Sequence, residues 1–176
     1  SGTTTHNTAV GYHAGVAVTT SQFNTLIGSE CGDALTTGGY NTALGYRALS
    51  TEDGNGNCVA IGFDSLRDLN AGADSENTAV GLLSGASLST GIQNTLIGSR
   101  AGDALSDADD NVAVGYGALT TDQKGNKSTA IGRSALAVQN FDSVTDSNNT
   151  AVGFKAGTAV TTGIQNTLIG SLAGDG

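Results

Sequence analysis

The sequence predicts an all-β fold: a parallel β-solenoid or β-roll fibre of ten coils, each of about 17 residues. Two observations predict it. A short motif recurs along the whole chain, and β-branched residues alternate with small ones inside each copy. A unit this short cannot fold alone, so its copies must stack to bury a shared core. We therefore interpret residues 1–176 as a single repeat array.

Each copy is anchored by a glycine that follows Val, Ile or Leu. These anchor glycines are Gly11, Gly28, Gly45, Gly62, Gly81, Gly98, Gly115, Gly132, Gly153 and Gly170. Their spacing is constant, except that the interval after Gly62 is longer by two residues and the interval after Gly132 by four. Insertions that leave the period undisturbed belong on loops, so we place the extra residues on rim loops near 68–75 and 137–148.

A longer period is superimposed on the first. The strings NTLIGSECG, NTLIGSRAG and NTLIGSLAG begin at residues 24, 94 and 166. In parallel, the fourth residue after the anchor is glycine in two successive coils and leucine in the next two. The true repeat is therefore a unit of four coils or about 70 residues. The superrepeats lie at about 7–76, 77–148 and 149–176, the last incomplete. We expect the chain to be a fragment of a longer fibre protein.

The alternation within each strand predicts two faces. The residue before each anchor glycine shares a face with the Thr or Val two positions earlier, because alternate residues of a strand point the same way. We predict that the aliphatic member of this pair forms the core: Val10, Ile27, Leu44, Ile61, Val80, Ile97, Val114, Ile131, Val152 and Ile169.

The residue in the middle of each strand, between the Thr or Val and the aliphatic residue, is small or apolar. A strand face in contact with solvent would carry polar side chains there. We therefore predict that this second face packs against another copy of the chain, with a well-filled monomeric solenoid as the alternative. Its residues are Leu26, Leu96, Leu168, Ala9, Ala43, Ala60, Ala79, Ala113, Ala130 and Ala151.

Asparagine recurs four residues before the anchor glycine, and stacked coils would place these amides in a ladder. Each amide would bond to the backbone or to the amide of the next coil. The residues are Asn7, Asn24, Asn41, Asn77, Asn94, Asn111, Asn149 and Asn166, with Cys58 and Ser128 in the other two copies. We expect Cys58 and Cys31 to be small buried residues without a redox role.

Composition argues against several classes of function. The net charge of −9 would repel phosphate backbones, which disfavours nucleic-acid binding. No apolar stretch approaches the ~18 residues of a membrane span, so membrane insertion is not expected. Histidine occurs only as His6 and His13, and no Gly-x-Ser-x-Gly motif is present. We expect no enzyme activity, no catalytic residues and no cofactor.

Two residue sets are candidates for ligand sites. Asp103, Asp107, Asp109 and Asp110 supply carboxylates on a loop and are weak calcium candidates, although a solvated acidic loop is the default interpretation. The aromatic residues directly after the anchor glycine favour groove packing between chains over a platform for sugars. They are Tyr12, Tyr46, Phe63, Tyr116 and Phe154.

The strings NTAVGYHAG, NTALGYRAL and NTAVGFKAG resemble the NTAIGYxAL-type repeats of phage tail fibres and other virion-surface fibres. They are more distantly similar to the head repeats of trimeric autotransporter adhesins. The resemblance covers nearly the whole chain. It implies a homotrimer of parallel β-coils on a virion or at the cell surface, forming a shaft or head. A host receptor or glycan would be bound by loops or by neighbouring domains.

These observations favour a structural fibre segment that serves as spacer and scaffold for attachment. The alternative is a monomeric ligand-binding solenoid that recognises carbohydrate or ice. Ice binding requires outward-facing threonines, whereas the threonines here are predicted to face inward with their aliphatic partners. A polysaccharide-cleaving enzyme on a β-helix would need clustered charged side chains on neighbouring coils, and the regular strand positions carry almost none.

Overall fold

The computed structural model describes residues 5–54, 56–72 and 74–175, and the regular elements of these segments are short β-strands. Ten of them are three residues long and lie immediately before an anchor glycine, and two are two residues long. In chain order they are β1 (Thr8–Val10), β2 (Thr25–Ile27), β3 (Thr42–Leu44), β4 (Val59–Ile61), β5 (Thr78–Val80), β6 (Thr95–Ile97), β7 (Val112–Val114), β8 (Gly125–Asn126), β9 (Thr129–Ile131), β10 (Thr145–Asp146), β11 (Thr150–Val152) and β12 (Thr167–Ile169).

The ten longer strands form one parallel sheet in the order β1-β2-β3-β4-β5-β6-β7-β9-β11-β12. Each strand pairs with the equivalent strand of the next coil without a shift in register, so that Ala9 lies opposite Leu26 and Leu26 opposite Ala43. The chain thus winds once per repeat and returns beside itself. The prediction of an all-β parallel solenoid, with one coil for each copy of the motif, is confirmed.

The two faces of the sheet are reversed relative to the prediction. The residue in the middle of each strand points into the core of its own chain, and Leu26, Leu96, Ala43 and Ala113 have no solvent-accessible surface. The same holds for Ala60, Ala79, Ala130 and Ala151, while Leu168 is half-buried and Ala9 is exposed at the two ends of the array. The prediction that these residues pack between chains is wrong, because contacts within the chain already cover them.

The residues predicted to form the core lie outside instead. None of Val10, Ile27, Leu44, Ile61, Val80, Ile97, Val114, Ile131, Val152 and Ile169 is buried, and Val10 and Ile169 keep 57% and 71% of their surface exposed. The physical reason is the size of the coil. A three-residue strand presents two side chains on one face and one on the other, and an interior this narrow accommodates the face with the single side chain.

The four-coil superperiod is a packing arrangement inside this core. Each Leu of the NTLIG strings fills the space left by a pair of glycines at the fourth position after the anchor. A Cβ atom on Gly15 would lie 2.8 Å from Cδ1 of Leu26, and one on Gly32 would lie 2.9 Å from Cδ2 of the same residue. Where the fourth residue is leucine, as at Leu49 and Leu119, the mid-strand residue is alanine. One mid-strand leucine thus serves two neighbouring coils, whereas each of the next two coils supplies a leucine of its own.

The anchor glycines bring neighbouring coils into backbone contact. Gly28 has φ +144°, and a Cβ atom at this position would overlap the carbonyl group of Gly45. Because any larger residue would push the coils apart, glycine is required here. Further turns of the coil are made by ordinary residues in the left-handed conformation, including Tyr40, Arg47 and Leu49.

The predicted asparagine ladder is confirmed. The side-chain oxygen of Asn24 accepts a hydrogen bond from the backbone N–H of Asn41 at 2.9 Å, and Asn94 does the same for Asn111 at 3.0 Å. The Asn94 amide also donates to the carbonyl of Ala108 at 2.7 Å. Each buried amide therefore connects its own coil to the next. It supplies hydrogen bonds that the backbone groups of the turn would otherwise lack.

The longer insertion is ordered by its own contacts. Residues 137–148 include β10, which pairs in parallel with β8 of the preceding coil, Thr145 opposite Gly125. The Phe141 ring is buried against Gly125. This insertion is therefore a second, shorter ladder beside the main sheet, and not the plain rim loop that the sequence predicts.

Candidate interaction face

The outward side of the rod carries three parallel columns of side chains. In each coil they come from the residue three before the anchor glycine, the residue one before it and the residue one after it. The threonine column contains Thr8, Thr25, Thr42, Val59, Thr78, Thr95, Val112, Thr129, Thr150 and Thr167. The aliphatic column consists of the ten residues that directly precede the anchor glycines. The aromatic column directly follows those glycines and contains Tyr12, Ser29, Tyr46, Phe63, Leu82, Ser99, Tyr116, Arg133, Phe154 and Ser171.

The aliphatic and aromatic columns expose hydrocarbon along the length of the rod. In the middle of the array Ile97 is 40% and Tyr116 53% exposed, and Phe63 and Leu82 are exposed to a similar degree. Cα atoms two residues apart lie at most ~7.6 Å from each other, so each aromatic residue borders the aliphatic residue of its own coil. The columns therefore form one continuous surface.

Mostly polar residues border this surface on both sides. The left rim lies two residues before the threonine column and contains His6, Phe23, Tyr40, Asn57, Glu76, Gln93, Asp110, Lys127, Asn148 and Gln165. The right rim directly follows the aromatic column and contains His13, Glu30, Arg47, Asp64, Leu83, Arg100, Gly117, Ser134, Lys155 and Leu172. Nearly all rim residues have positive φ, because the chain turns away from the sheet at these two corners.

Stacked rings occupy the left rim of the first three coils. The rings of His6 and Phe23 have centroids 5.0 Å apart, and those of Phe23 and Tyr40 are 5.1 Å apart, with interplanar angles of 1° and 15°. Both faces of the Phe23 ring are therefore covered by neighbouring rings, whereas sugar stacking needs an open face. The repeat pattern did not predict this stack, although the three residues share one position of the repeat.

Arg133 is the charged residue of the aromatic column. Its guanidinium carbon lies 5.7 Å from the ring centroid of Tyr116 and 5.9 Å from that of Phe154, which belong to the preceding and following coils. These distances are in the range of cation–π contacts. The Arg133 guanidinium therefore bridges two rings of the aromatic column.

The four calcium candidates do not converge on one point. Asp103 accepts a hydrogen bond from the Thr120 hydroxyl, and Asp107 accepts one from the Thr90 hydroxyl, both at 2.6 Å. Asp109 accepts from the backbone N–H of Ile92 at 2.8 Å. Within the described segments, no three His, Cys, Asp or Glu side chains are grouped as metal ligands.

The two thiols are buried in the core. Burial raises the pKa of Cys31 to about 11. It also raises the pKa of Cys58 to about 11, although the Ser75 hydroxyl, 2.8 Å from the Cys58 sulfur, partly opposes the shift. Both side chains are therefore neutral thiols near pH 7, and thiolate chemistry is suppressed.

Coils seven to nine contain a buried polar network. Two of its residues, Asp122 and Gln139, stand seven residues after the anchor glycine, where four other coils have leucine. Asp122 accepts hydrogen bonds from the backbone N–H of Gly125 at 3.0 Å and from the Gln139 amide at 2.5 Å. Gln139 in turn accepts from the Asn149 amide at 2.7 Å. Asp122 and Gln139 have no accessible surface. The network is a satisfied structural element without an opening to solvent.

No pocket opens among the residues that the structure describes, and none of their elements is a helix long and apolar enough to cross a membrane. No family model, no curated protein and no solved structure matches the chain.

Proposed function

We propose that this chain is a structural segment of an attachment fibre, such as a phage tail fibre or a surface adhesin, on a virion or at the cell surface. It serves as spacer and scaffold for elements that bind a host receptor or glycan. The observation that supports this is the unbroken ladder of ten parallel strands in one register. The anchor glycines and the asparagine amides make contacts between neighbouring coils. Few positions of each repeat are left for binding or catalytic side chains.

The geometry suits a rod that transmits force. The nine intervals of the ten-stranded sheet give a length of about 43 Å at ~4.8 Å per strand. Backbone hydrogen bonds such as Gly28 N–H to Val10 carbonyl, at 2.8 Å, run from coil to coil. Tension along the axis is thereby shared among several parallel hydrogen bonds at each coil boundary.

Removal of one superrepeat tests the spacer role. Deletion of residues 77–148 joins Glu76 to Asn149, and both sides of the junction keep the repeat in phase, because coils five and nine both begin Asn-Thr-Ala-Val-Gly. A spacer should remain folded and shorten by four strand intervals, about 19 Å, as measured by small-angle X-ray scattering. Deletion of residues 99–107, half a coil, is the control and should abolish folding.

The spacer proposal would be contradicted by ligand binding that depends on coil number. If the intact segment bound glycans or ice and lost that binding after the deletion of residues 77–148, its surface would be the functional element. An unfolded deletion variant would contradict the modular packing on which the proposal depends.

One observation favours a second candidate, a monomeric solenoid that binds ice. The sequence disfavours ice binding because its threonines are predicted to face inward. In the structure the threonine column faces outward, so this reason no longer holds. Thr95 and Thr78 lie opposite each other in neighbouring strands, with the regular spacing of the sheet. The surface beside them is uneven, however, since Tyr, Ser and Arg alternate in the aromatic column. Thermal hysteresis of the segment, measured before and after Thr95→Lys, tests this candidate.

A further inference from the structure

Two basic residues and two aromatic rings are grouped on the outward side of coils seven to nine. The Arg133 guanidinium of coil eight lies over the rings of Tyr116 and Phe154, from the coils on either side. Lys155 directly follows Phe154 and places its Nζ atom 5.6 Å from the centroid of that ring. The backbone N–H of Lys155 donates to the carbonyl of Arg133 at 2.9 Å, so the two cations stand on neighbouring coils. We call these four residues the basic patch.

The two cations of the basic patch have no acidic partner. The chain contains sixteen acidic residues and seven basic ones. The basic residues that form ion pairs are Arg47, Arg67, Arg100 and Lys127. Among the residues that the structure describes, Arg133 and Lys155 form no such pair, and both are exposed. They are therefore available to an anion from outside the chain.

The carboxylates of the same coils lie elsewhere. Asp122 is buried in the core, and Asp110 is on the left rim. Asp142 and Asp146 belong to the insertion, where Asp146 pairs with Lys127 at 2.6 Å. The net charge of −9 repels an anionic partner at a distance. Salt at physiological concentration screens charges beyond ~8 Å, so the local cations decide the contact.

The chemistry of the basic patch selects a carboxylate that stands beside an apolar side chain. A guanidinium binds a carboxylate through two parallel N–H donors. Next to the patch, Val114, Ile131 and Val152 of the aliphatic column offer hydrocarbon. We propose that the basic patch binds an extended acidic segment of a partner protein, in which carboxylates alternate with aliphatic side chains. This inference goes beyond the spacer role, because it attaches a second protein to the rod.

An extended peptide can satisfy both parts of this surface at once. Its alternate side chains point to opposite sides. When the peptide lies along the rod, one set of side chains meets Arg133 and Lys155, and the other set meets the aliphatic column. The cations then bind the carboxylates while the aliphatic side chains cover the exposed hydrocarbon.

A saccharide fits the basic patch less well than a peptide. Sugars stack on open ring faces, whereas Arg133 already lies over the rings of Tyr116 and Phe154. The hydroxyl groups of a sugar also need hydrogen-bond partners, and the aliphatic column supplies none from its side chains. The occupant that matches both the charge and the hydrocarbon is therefore the acidic peptide.

The size of the basic patch predicts weak binding. Three coils span two strand intervals, which is about 10 Å. A contact of this length is far smaller than the ~800 Å² that each partner buries in a standard interface. We therefore expect a Kd between ~10 μM and ~1 mM for a short peptide.

The test is an NMR titration of the segment with a synthetic peptide of about nine residues, in which valine and aspartate alternate and both ends are blocked. Binding should shift the backbone amides of Arg133 and Lys155. Arg133→Gln should weaken binding by at least ~10-fold, because it removes charge-assisted hydrogen bonds. Arg133→Lys keeps the charge but loses the planar pair of donors, so its affinity should be intermediate.

Arg100→Gln is the matched control, because Arg100 is also an exposed arginine but pairs with Asp103. It should leave the affinity unchanged, and circular dichroism checks that all variants are folded. Asparagine in place of aspartate in the peptide should abolish binding, and serine in place of valine should weaken it. Equal affinities of wild type and Arg133→Gln would overturn the proposal. Tighter binding of a uronic-acid oligosaccharide than of the peptide would also overturn it.

Deletion of the first superrepeat separates this proposal from the spacer role. Deletion of residues 7–76 joins His6 to Asn77 in phase, because coils one and five both begin Asn-Thr-Ala-Val-Gly. The rod should shorten by about 19 Å and bind the peptide with unchanged affinity, since binding depends on the basic patch and not on the number of coils. A rod that shortens but does not bind the peptide would overturn the patch and leave the spacer role intact. Peptide binding by the intact segment, together with an unfolded 77–148 deletion variant, would support the patch and overturn the spacer role.

Discussion

Leu96 occupies the space in the core that a side chain on Gly85 would need: a Cβ atom on Gly85 would lie 2.8 Å from Cδ1 of Leu96. A Cβ atom on Gly102, in the same coil as Leu96, would lie 2.9 Å from the other methyl group of this leucine. One leucine thus occupies the volume that two glycines release. This relationship repeats with Leu26 and Leu168 and explains why the NTLIG strings recur every four coils.

The complementarity predicts a large cost for removing the leucine. Leu96→Ala should lower the free energy of unfolding by about 2–5 kcal/mol, since neither glycine can fill the cavity that remains. Leu172→Ala is the matched control, because Leu172 is exposed on the right rim and should change stability by under about 0.5 kcal/mol. Denaturant unfolding of both variants checks the prediction, and equal losses would contradict the assignment of Leu96 to the core.

The asparagine ladder predicts a second large effect. Asn94→Ala removes the acceptor of the Asn111 backbone N–H and the donor to the Ala108 carbonyl. Leaving two buried groups unsatisfied should cost about 2–5 kcal/mol. Gln93→Ala, at the neighbouring left-rim residue, is the control and should be nearly neutral. Hydrogen exchange of the Asn111 amide provides a local readout, and unchanged protection of this amide in Asn94→Ala would argue against the ladder.

The period of the solenoid could be predicted from the sequence because it depends on local contacts. An anchor glycine is needed wherever two coils touch through their backbones, so the spacing of these glycines reports the length of a coil directly. The asparagine ladder was predictable for the same reason, since a buried amide recurs where the strand begins.

The orientation of the faces could not be predicted from alternation alone. Alternation shows that Thr95 and Ile97 share a face, but it does not show which face is inside. The width of the coil decides this, and the width is a property of the whole turn. One signal was present in the sequence: the glycine pair at Gly85 and Gly102 accompanies Leu96, which indicates that leucine and glycine meet within one chain.

The raised thiol pKa values predict a loss of stability in alkali. The ordinary pKa of 9.0 applies to the unfolded chain, whereas the native pKa of Cys31 and of Cys58 is about 11. Between these values unfolding releases protons that the native state retains, so each thiol contributes stability below pH 9 that is lost as the pH rises through about 11. The double variant Cys31→Ala/Cys58→Ser should lose less stability between pH 8 and pH 11, as measured by chemical denaturation. Identical pH dependence of wild type and variant would show that the thiols do not contribute.

The buried network of Asp122 and Gln139 predicts a non-additive pair of substitutions. Gln139→Leu alone leaves the Asp122 carboxylate without its side-chain donor and removes one of the two acceptors of the Asn149 amide, which should cost about 3–5 kcal/mol. The double variant Asp122→Leu/Gln139→Leu instead introduces the residue that the fourth coil carries at this position, the buried Leu69. It should therefore be much more stable than Gln139→Leu, because a well-packed apolar pair often replaces a buried charged network without loss.

A double-mutant cycle by denaturant unfolding measures the coupling between Asp122 and Gln139, which should be at least about 1–3 kcal/mol. Additive effects would mean that the two side chains contribute independently and that the backbone N–H groups of Lys124 and Gly125 suffice to hold the carboxylate.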